Sequence, residues 1–174
     1  MRRLAQSLLG LLAAITMTAA LLPGSSVAAD KDTVRGDRLS VARAFYEAAD
    51  QRPYAEADVS ALIWDGYVDH HRPASDPSLT DEQVIVGLLS QLATGFPDGQ
   101  HDVYRLERVS NDEVLAYWTF TGTNTGPLFG APPTGRTVSI DGTDLLRIRK
   151  GQVVEQWHIE DLQSLTAQLY GPAG

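Results

Sequence analysis

Of the 22 acidic residues and four histidines in this sequence, a few sit among apolar residues, where they could move a proton. Asp161 closes the stretch "VVEQWHIED" (153–161). A carboxylate lodged in an apolar cavity has its pKa raised by desolvation, which suits it to take a proton from a carbon acid near neutral pH. Strand alternation groups Asp161 with Val153, Trp157 and Ile159, so a cavity-facing Trp157 would bring Asp161 into the same cavity. A second account is open, because Asp161 immediately precedes "LQSLTAQL" and could simply N-cap that helix. Asp144 shares a strand face with Ile140, Leu146 and Ile148, where an acid must be paired, neutral or functional. Arg147 points to the other face by the same parity, and a bulge at Gly142 would reverse both assignments. An Asp–Arg–Asp arrangement would suit epoxide opening. The "DHH" of residues 69–71 resembles a metal motif, but adjacent strand residues diverge, so His70 and His71 cannot easily share an ion. Asp69 with His71 supplies two ligands where zinc wants three or four, and His101 or His158 would have to converge on them. No metal is expected.

These residues follow a leader that has to be set aside. Arg2-Arg3, an apolar run from Leu8 to about Leu22, the break at Pro23-Gly24 and the small residues Val27-Ala28-Ala29 form a tripartite export signal, with cleavage expected before Asp30. The domain division is therefore a signal peptide at 1–29, a polar linker at 30–37 and one folded domain at 38–174. The formal charge is −8, and losing Arg2 and Arg3 makes the mature chain more acidic still. That opposes nucleic acid and anionic membranes as partners. The chain has no Cys, so an exported form holds together without disulfides.

The elements that must position the candidates are readable from periodicity. Val41, Ala42, Phe45, Ala48 and Ala49 share a helical face that Pro53 ends, and Val59, Leu62, Ile63 and Gly66 mark a short second helix. Residues 66–74 read as extended. Thr80 and Gln83 form a capping box for a third helix, with Ile85, Leu88, Leu89 and Leu92 as its buried stripe and Gly95 and Pro97 as its stop. The period then switches to two. Four strands are expected at 101–109, 113–123, 136–150 and 152–160, with a tight turn at Lys150-Gly151. Helices first and an antiparallel meander afterwards imply an α+β fold, with one bent sheet wrapped over three helices around a pocket. Between the middle strands lies "TNTGPLFGAPPTGRTV" (123–138), where Pro127, Pro132 and Pro133 block sheet extension and Gly126, Gly130 and Gly135 permit sharp turns.

In this order and spacing, "GFPDGQHDV" (95–103) and the run from Thr121 through "GPLFGAPPTG", "IDGTDLLRIRKGQVVEQWHIED" and "LQSLTAQLYG" resemble the SnoaL-like polyketide cyclases of the NTF2-like superfamily, over residues 40–171. The resemblance implies an NTF2-like cone-shaped barrel around a deep hydrophobic cavity. It implies a cofactor-independent cyclase or isomerase in which an aspartate generates an enolate for intramolecular aldol closure. The family's catalytic Asp falls on Asp161. Its pocket His falls on His70, expected to donate to a substrate carbonyl or to be a buried, satisfied His. Trp118, Asn124, Trp157 and Asp144 are the further candidates for substrate contact. Asn124 stands where the family has His, and an Asn in a turn is its other reading. The implied ligand is a small hydrophobic, polyketide-like molecule, and many relatives pair through the outer sheet face, so a homodimer is expected. Two alternatives accompany the enzyme: an exported pocket protein that binds such a ligand without turnover, and an epoxide hydrolase-like activity.

Overall fold

Val41, Ala42, Phe45, Tyr46, Ala48 and Ala49 recur at helical spacing, and in the computed structural model they form the buried face of α1 (Arg38–Asp50). Full burial of each large apolar side chain there contributes about 1.5–3 kcal/mol. The structure describes residues 37–73 and 76–172, so the export signal and its cleavage site lie outside the described residues. A short α2 (Glu56–Ser60) follows, then β1 (Ile63–Asp69) and α3 (Asp81–Gly95). Thr80 caps α3 as its sequence implies, accepting from the Gln83 N–H while the Gln83 side chain reaches back to the Thr80 N–H. Strands β2 (Gln100–Arg108), β3 (Glu113–Thr123), β4 (Thr137–Arg149) and β5 (Gln152–Glu160) and a final α4 (Leu162–Tyr170) complete the order. Lys150 and Gly151 take φ of 55° and 82°, the positive pair that a two-residue hairpin demands.

The five strands form one curved sheet in the order β1-β5-β4-β3-β2. The expectation of a wholly antiparallel sheet needs correction: β1 runs parallel to β5. No hairpin joins these two strands, so nothing local fixes their relative direction. The edge is closed by the Val153 N–H donating to the Leu62 carbonyl and the His70 N–H donating to that of Gln156. Ile63 likewise belongs to β1 and not to the second helix. The interior face of β3 and β4 carries Val114, Ala116, Trp118, Phe120, Val138, Ile140, Asp144, Leu146 and Ile148, all buried. Asp144 is thus on the apolar face that alternation assigned to it, and the β3–β4 register passes Gly142 without a bulge.

A bulge does occur one strand further on. Ile148 pairs with Val153 and Arg147 with Glu155, which leaves Val154 as an extra residue in β5. Beyond it the alternation is reversed. Gln156, His158 and Glu160 pair with Leu146, Asp144 and Gly142 and share their inward face. Trp157 and Ile159 therefore stand on the outer face. This corrects the parity that placed Trp157 in the cavity and Asp161 with it.

Candidate active site

The sheet, α3, α4 and the loop 124–136 enclose a cavity of about 610 Å³. Its walls are mostly apolar: Val84, Leu88 and Leu92 from α3, Trp118 and Phe120 from β3, Ile140 from β4, and Leu162 and Leu165 from α4. Phe129, at the loop tip, adds an exposed ring at the mouth with φ of 47°. The titratable groups on the wall are His71, His101, His158 and Glu160. This is the composition of a site for an apolar ligand that carries a polar group.

Asp144 lies behind Trp118 of that wall, fully buried and held by three donors from three elements. The Tyr46 hydroxyl and the Trp118 indole Nε1 both donate to Oδ2, and Gln156 Nε2 donates to Oδ1 at 2.7 Å. Tyr67 in turn donates to Gln156 Oε1 at 2.6 Å, extending the network to β1. Trp118 reaches Asp144 because residue 142 is glycine. A Cβ there would come within 2.2 Å of the indole. Burial pushes the Asp144 carboxyl up, while the bonds from Tyr46, Gln156 and Trp118 oppose the shift. The carboxyl is committed to these donors. Arg147 stands on the outer face between Glu113 and Glu155, so no Asp–Arg–Asp array forms around Asp144.

His158 lines the cavity beside this network. Its Nε2 lies 3.3 Å from Asp69 Oδ1 and its Nδ1 lies 3.3 Å from Glu160 Oε1. Burial alone would favour the neutral ring, but hydrogen bonding and charge from Asp69 and Glu160 push the imidazole up to about 10, so it is a cation at neutral pH. Asp69 is itself buried. Despite that burial, His158 and the His71 backbone N–H hold its carboxyl below the usual range. The His71 ring packs edge-on to His158 with centroids 6.0 Å apart. His70 turns the other way, as expected of neighbours on a strand. It stacks on Trp157 at 4.0 Å on the outer face and meets Glu155 at 3.1 Å. The structure thus places His71, and not His70, at the cavity.

Asp161 and Asn124 have structural duties. Asp161 is exposed at the N-cap of α4, where Oδ1 accepts the Ser164 N–H at 2.9 Å. Its neighbours Glu160 and Leu162 line the cavity and it does not. Asn124 is fully buried and latches the Pro-rich loop. Its Nδ2 donates to the carbonyls of Gly95 and Gly126, and its Oδ1 accepts from the Thr134 N–H and hydroxyl. No bonding capacity of its side chain is left for a ligand. Of the catalytic and substrate-contact candidates named from sequence, the cavity wall gathers Trp118, with Asp144 behind it. His158 and Glu160 escaped notice as acid–base groups because one unpaired residue, Val154, decides which way they face.

A family model described as SnoaL-like polyketide cyclase matches residues 39–169. The chain belongs to the SnoaL-like polyketide cyclase family. Among solved structures, this SnoaL-like chain is similar to IdmH of Streptomyces antibioticus, a candidate polyketide cyclase, at 26% identity and a TM-score of 0.65, over 76% of this chain and 98% of that one. It is also similar to AclR of Streptomyces galilaeus, a candidate hydroxylase (23% identity, TM-score 0.66, covering 80% and 89%), and to TsrD of Streptomyces laurentii (22%, 0.64, 82% and 98%). These likenesses establish the NTF2-like fold. No curated protein matches the chain.

Proposed function

We propose that this SnoaL-like protein is a cofactor-independent cyclase or isomerase that forms an enolate from a hydrophobic carbonyl compound. The observation that carries the reading is the His158 imidazolium on the wall of an apolar cavity. A cation that is already paired and oriented stabilises an oxyanion without reorganising at the moment of reaction. The substrate's apolar body lies against Leu88, Leu92, Phe120 and Ile140, and its carbonyl oxygen faces His158. The Nδ1–H, held by Glu160 only at 3.3 Å, is shared with that oxygen as negative charge develops. Family membership supports the reaction class. Asp161, the position the family resemblance marks for the base, is here an exposed helix cap, so this reading draws its chemistry from the cavity wall.

A bicyclic ketone with an acidic α-carbon, 2-tetralone, serves as the probe. Binding is followed by the fluorescence of Trp118, the one of three tryptophans that lines the cavity. Turnover is followed by NMR as α-hydrogen exchange in D₂O. Saturable binding with catalysed exchange that His158→Gln slows by about 10²–10³-fold, the usual worth of one oxyanion donor, supports the reading. Binding without exchange makes the protein a carrier and overturns it. The Val27-Ala28-Ala29 signal belongs to the same reading and puts the activity outside the cytoplasm. Secreted protein beginning at Asp30 supports export, and intact Met1 in a membrane fraction opposes it. Pairing of two chains through the outer sheet face, where Trp64, Val68 and Ile159 are exposed, is proposed with it, and a monomer mass by light scattering would overturn that part.

A further inference from the structure

Resting on that enolate reading, we infer that His101 is the general base and Asp50 its positioning residue. Asp50 ends α1 and His101 lies at the start of β2. The carboxylate clasps this histidine twice: Oδ2 accepts the His101 backbone N–H and Oδ1 meets ring Nδ1, both at 2.7 Å. A carboxylate can only accept, so Nδ1 carries the hydrogen of the neutral ring and Nε2 carries a lone pair. Nε2 has no hydrogen-bond partner among the described residues. The ring is held edge-on to Trp118 at 4.9 Å and tilted on Phe120 at 5.0 Å, two residues of the cavity wall. The nitrogen that Asp50 does not hold is thus left free to serve the cavity that the His101 ring helps to line.

A second pocket of about 360 Å³, whose walls include Arg43, Glu47, Asp50 and Asp102 together with Val103 and Leu106, also takes in His101. His101 is common to both, so the dyad stands between an apolar cavity and one lined by more charged groups. Its chemistry balances without a co-reactant. The α C–H bond breaks, the proton passes to Nε2, and the C–H electron pair becomes the C=C of the enolate, whose oxygen faces His158. The His101 imidazolium is neutralised by Asp50. In exchange, the proton is replaced from water and deuterium returns to carbon. In ring closure, the enolate carbon forms a C–C bond to a second carbonyl, and the resulting alkoxide takes the proton back.

The test uses the full chain with 2-tetralone in D₂O. His101→Gln is expected to bind the ketone as wild type does and to lose about 10²–10⁴-fold in exchange, the usual worth of a positioned general base. Asp50→Asn tests the positioning separately. To keep the bond from the His101 backbone N–H, the amide must place its oxygen there and its NH₂ against Nδ1, which forces the hydrogen onto Nε2. The ¹⁵N shifts of His101 should show that tautomer reversal together with an exchange loss of comparable size, as tautomer reversal does in the serine-protease triad. Exchange that survives in a folded His101→Gln protein but is lost in His158→Gln overturns the base assignment and leaves the enolate reading standing. No exchange by wild type overturns both. If His101→Gln does not fold, the tautomer and exchange rate of Asp50→Asn decide alone: a reversed tautomer with undiminished exchange excludes His101.

Discussion

His158 makes a prediction that needs no substrate. Its folded pKa is about 10 against an ordinary 6.5, so between these values the folded chain holds a proton that the unfolded chain has released. Stability must then fall as pH rises. The contribution is fully present below about pH 6.5 and is lost through about pH 10. At about 1.4 kcal/mol per pH unit, the ceiling for the change between pH 6.5 and about pH 9 is roughly 3 kcal/mol. Water in the cavity screens the pair and reduces this to about 1.5 kcal/mol. Asp69, Glu160, His71 and the deeper Asp144 are the groups around His158, and Tyr46 and Tyr67 are pushed too high by burial to titrate in this window. The perturbation is His158→Gln, assayed by urea unfolding at half-unit steps of pH. Wild type should lose stability across the window and the variant should not. At pH 7 the variant should also be less stable by about 3 kcal/mol, because Asp69 is left buried without its partner. Adding Asp69→Asn should restore part of that loss. A flat wild-type profile, or a His158→Gln protein as stable as wild type at pH 7, would refute the account of this ion pair.

Substitutions at three other positions separate structural from chemical duty. Asp144→Ala strands the Tyr46, Trp118 and Gln156 donors and should cost more than about 3 kcal/mol in chemical denaturation, whereas Asp144→Asn should cost far less, because Gln156 can flip and Tyr67 can then accept. Asn124→Ala should cost about 2 kcal/mol and increase proteolysis within 124–136, since four side-chain bonds hold that loop; unchanged cleavage would contradict the latch. Asp161→Ala should lose about 1 kcal/mol and Asp161→Asn almost nothing, both with exchange intact; a folded Asp161→Asn protein slowed by about 10²-fold would return the base to Asp161.

Much of the fold was legible because its determinants are local. The α1 stripe, the Thr80–Gln83 box, the alternation of β3 and the Lys150-Gly151 turn are each set within a few residues. The family motifs carried the cone-shaped cavity. The parallel pairing of β1 with β5 was not legible, because it joins segments about ninety residues apart with no turn between them. The site was read less well for the same reason. Asp50 and His101 are 51 positions apart, and neither lies in a motif that announces the other. His158 was visible as a residue, but its environment depends on the bulge. Two adjacent valines, 153 and 154, look alike in sequence, and only pairing with Ile148 and Arg147 reveals which one is extra.

That bulge bears on how such a protein changes over generations. Point substitutions can adjust the cavity wall one side chain at a time, and each leaves the rest of β5 where it was. Loss of the bulge without loss of a residue, with Val154 drawn into the ladder opposite Arg147, would act on the whole segment at once. Trp157 and Ile159 would turn inward, and Gln156, His158 and Glu160 would face solvent, exchanging an acid–base wall for an aromatic and aliphatic one. A one-residue slip of register at one place in β5 is thus a route between a reactive pocket and an inert one on the same scaffold.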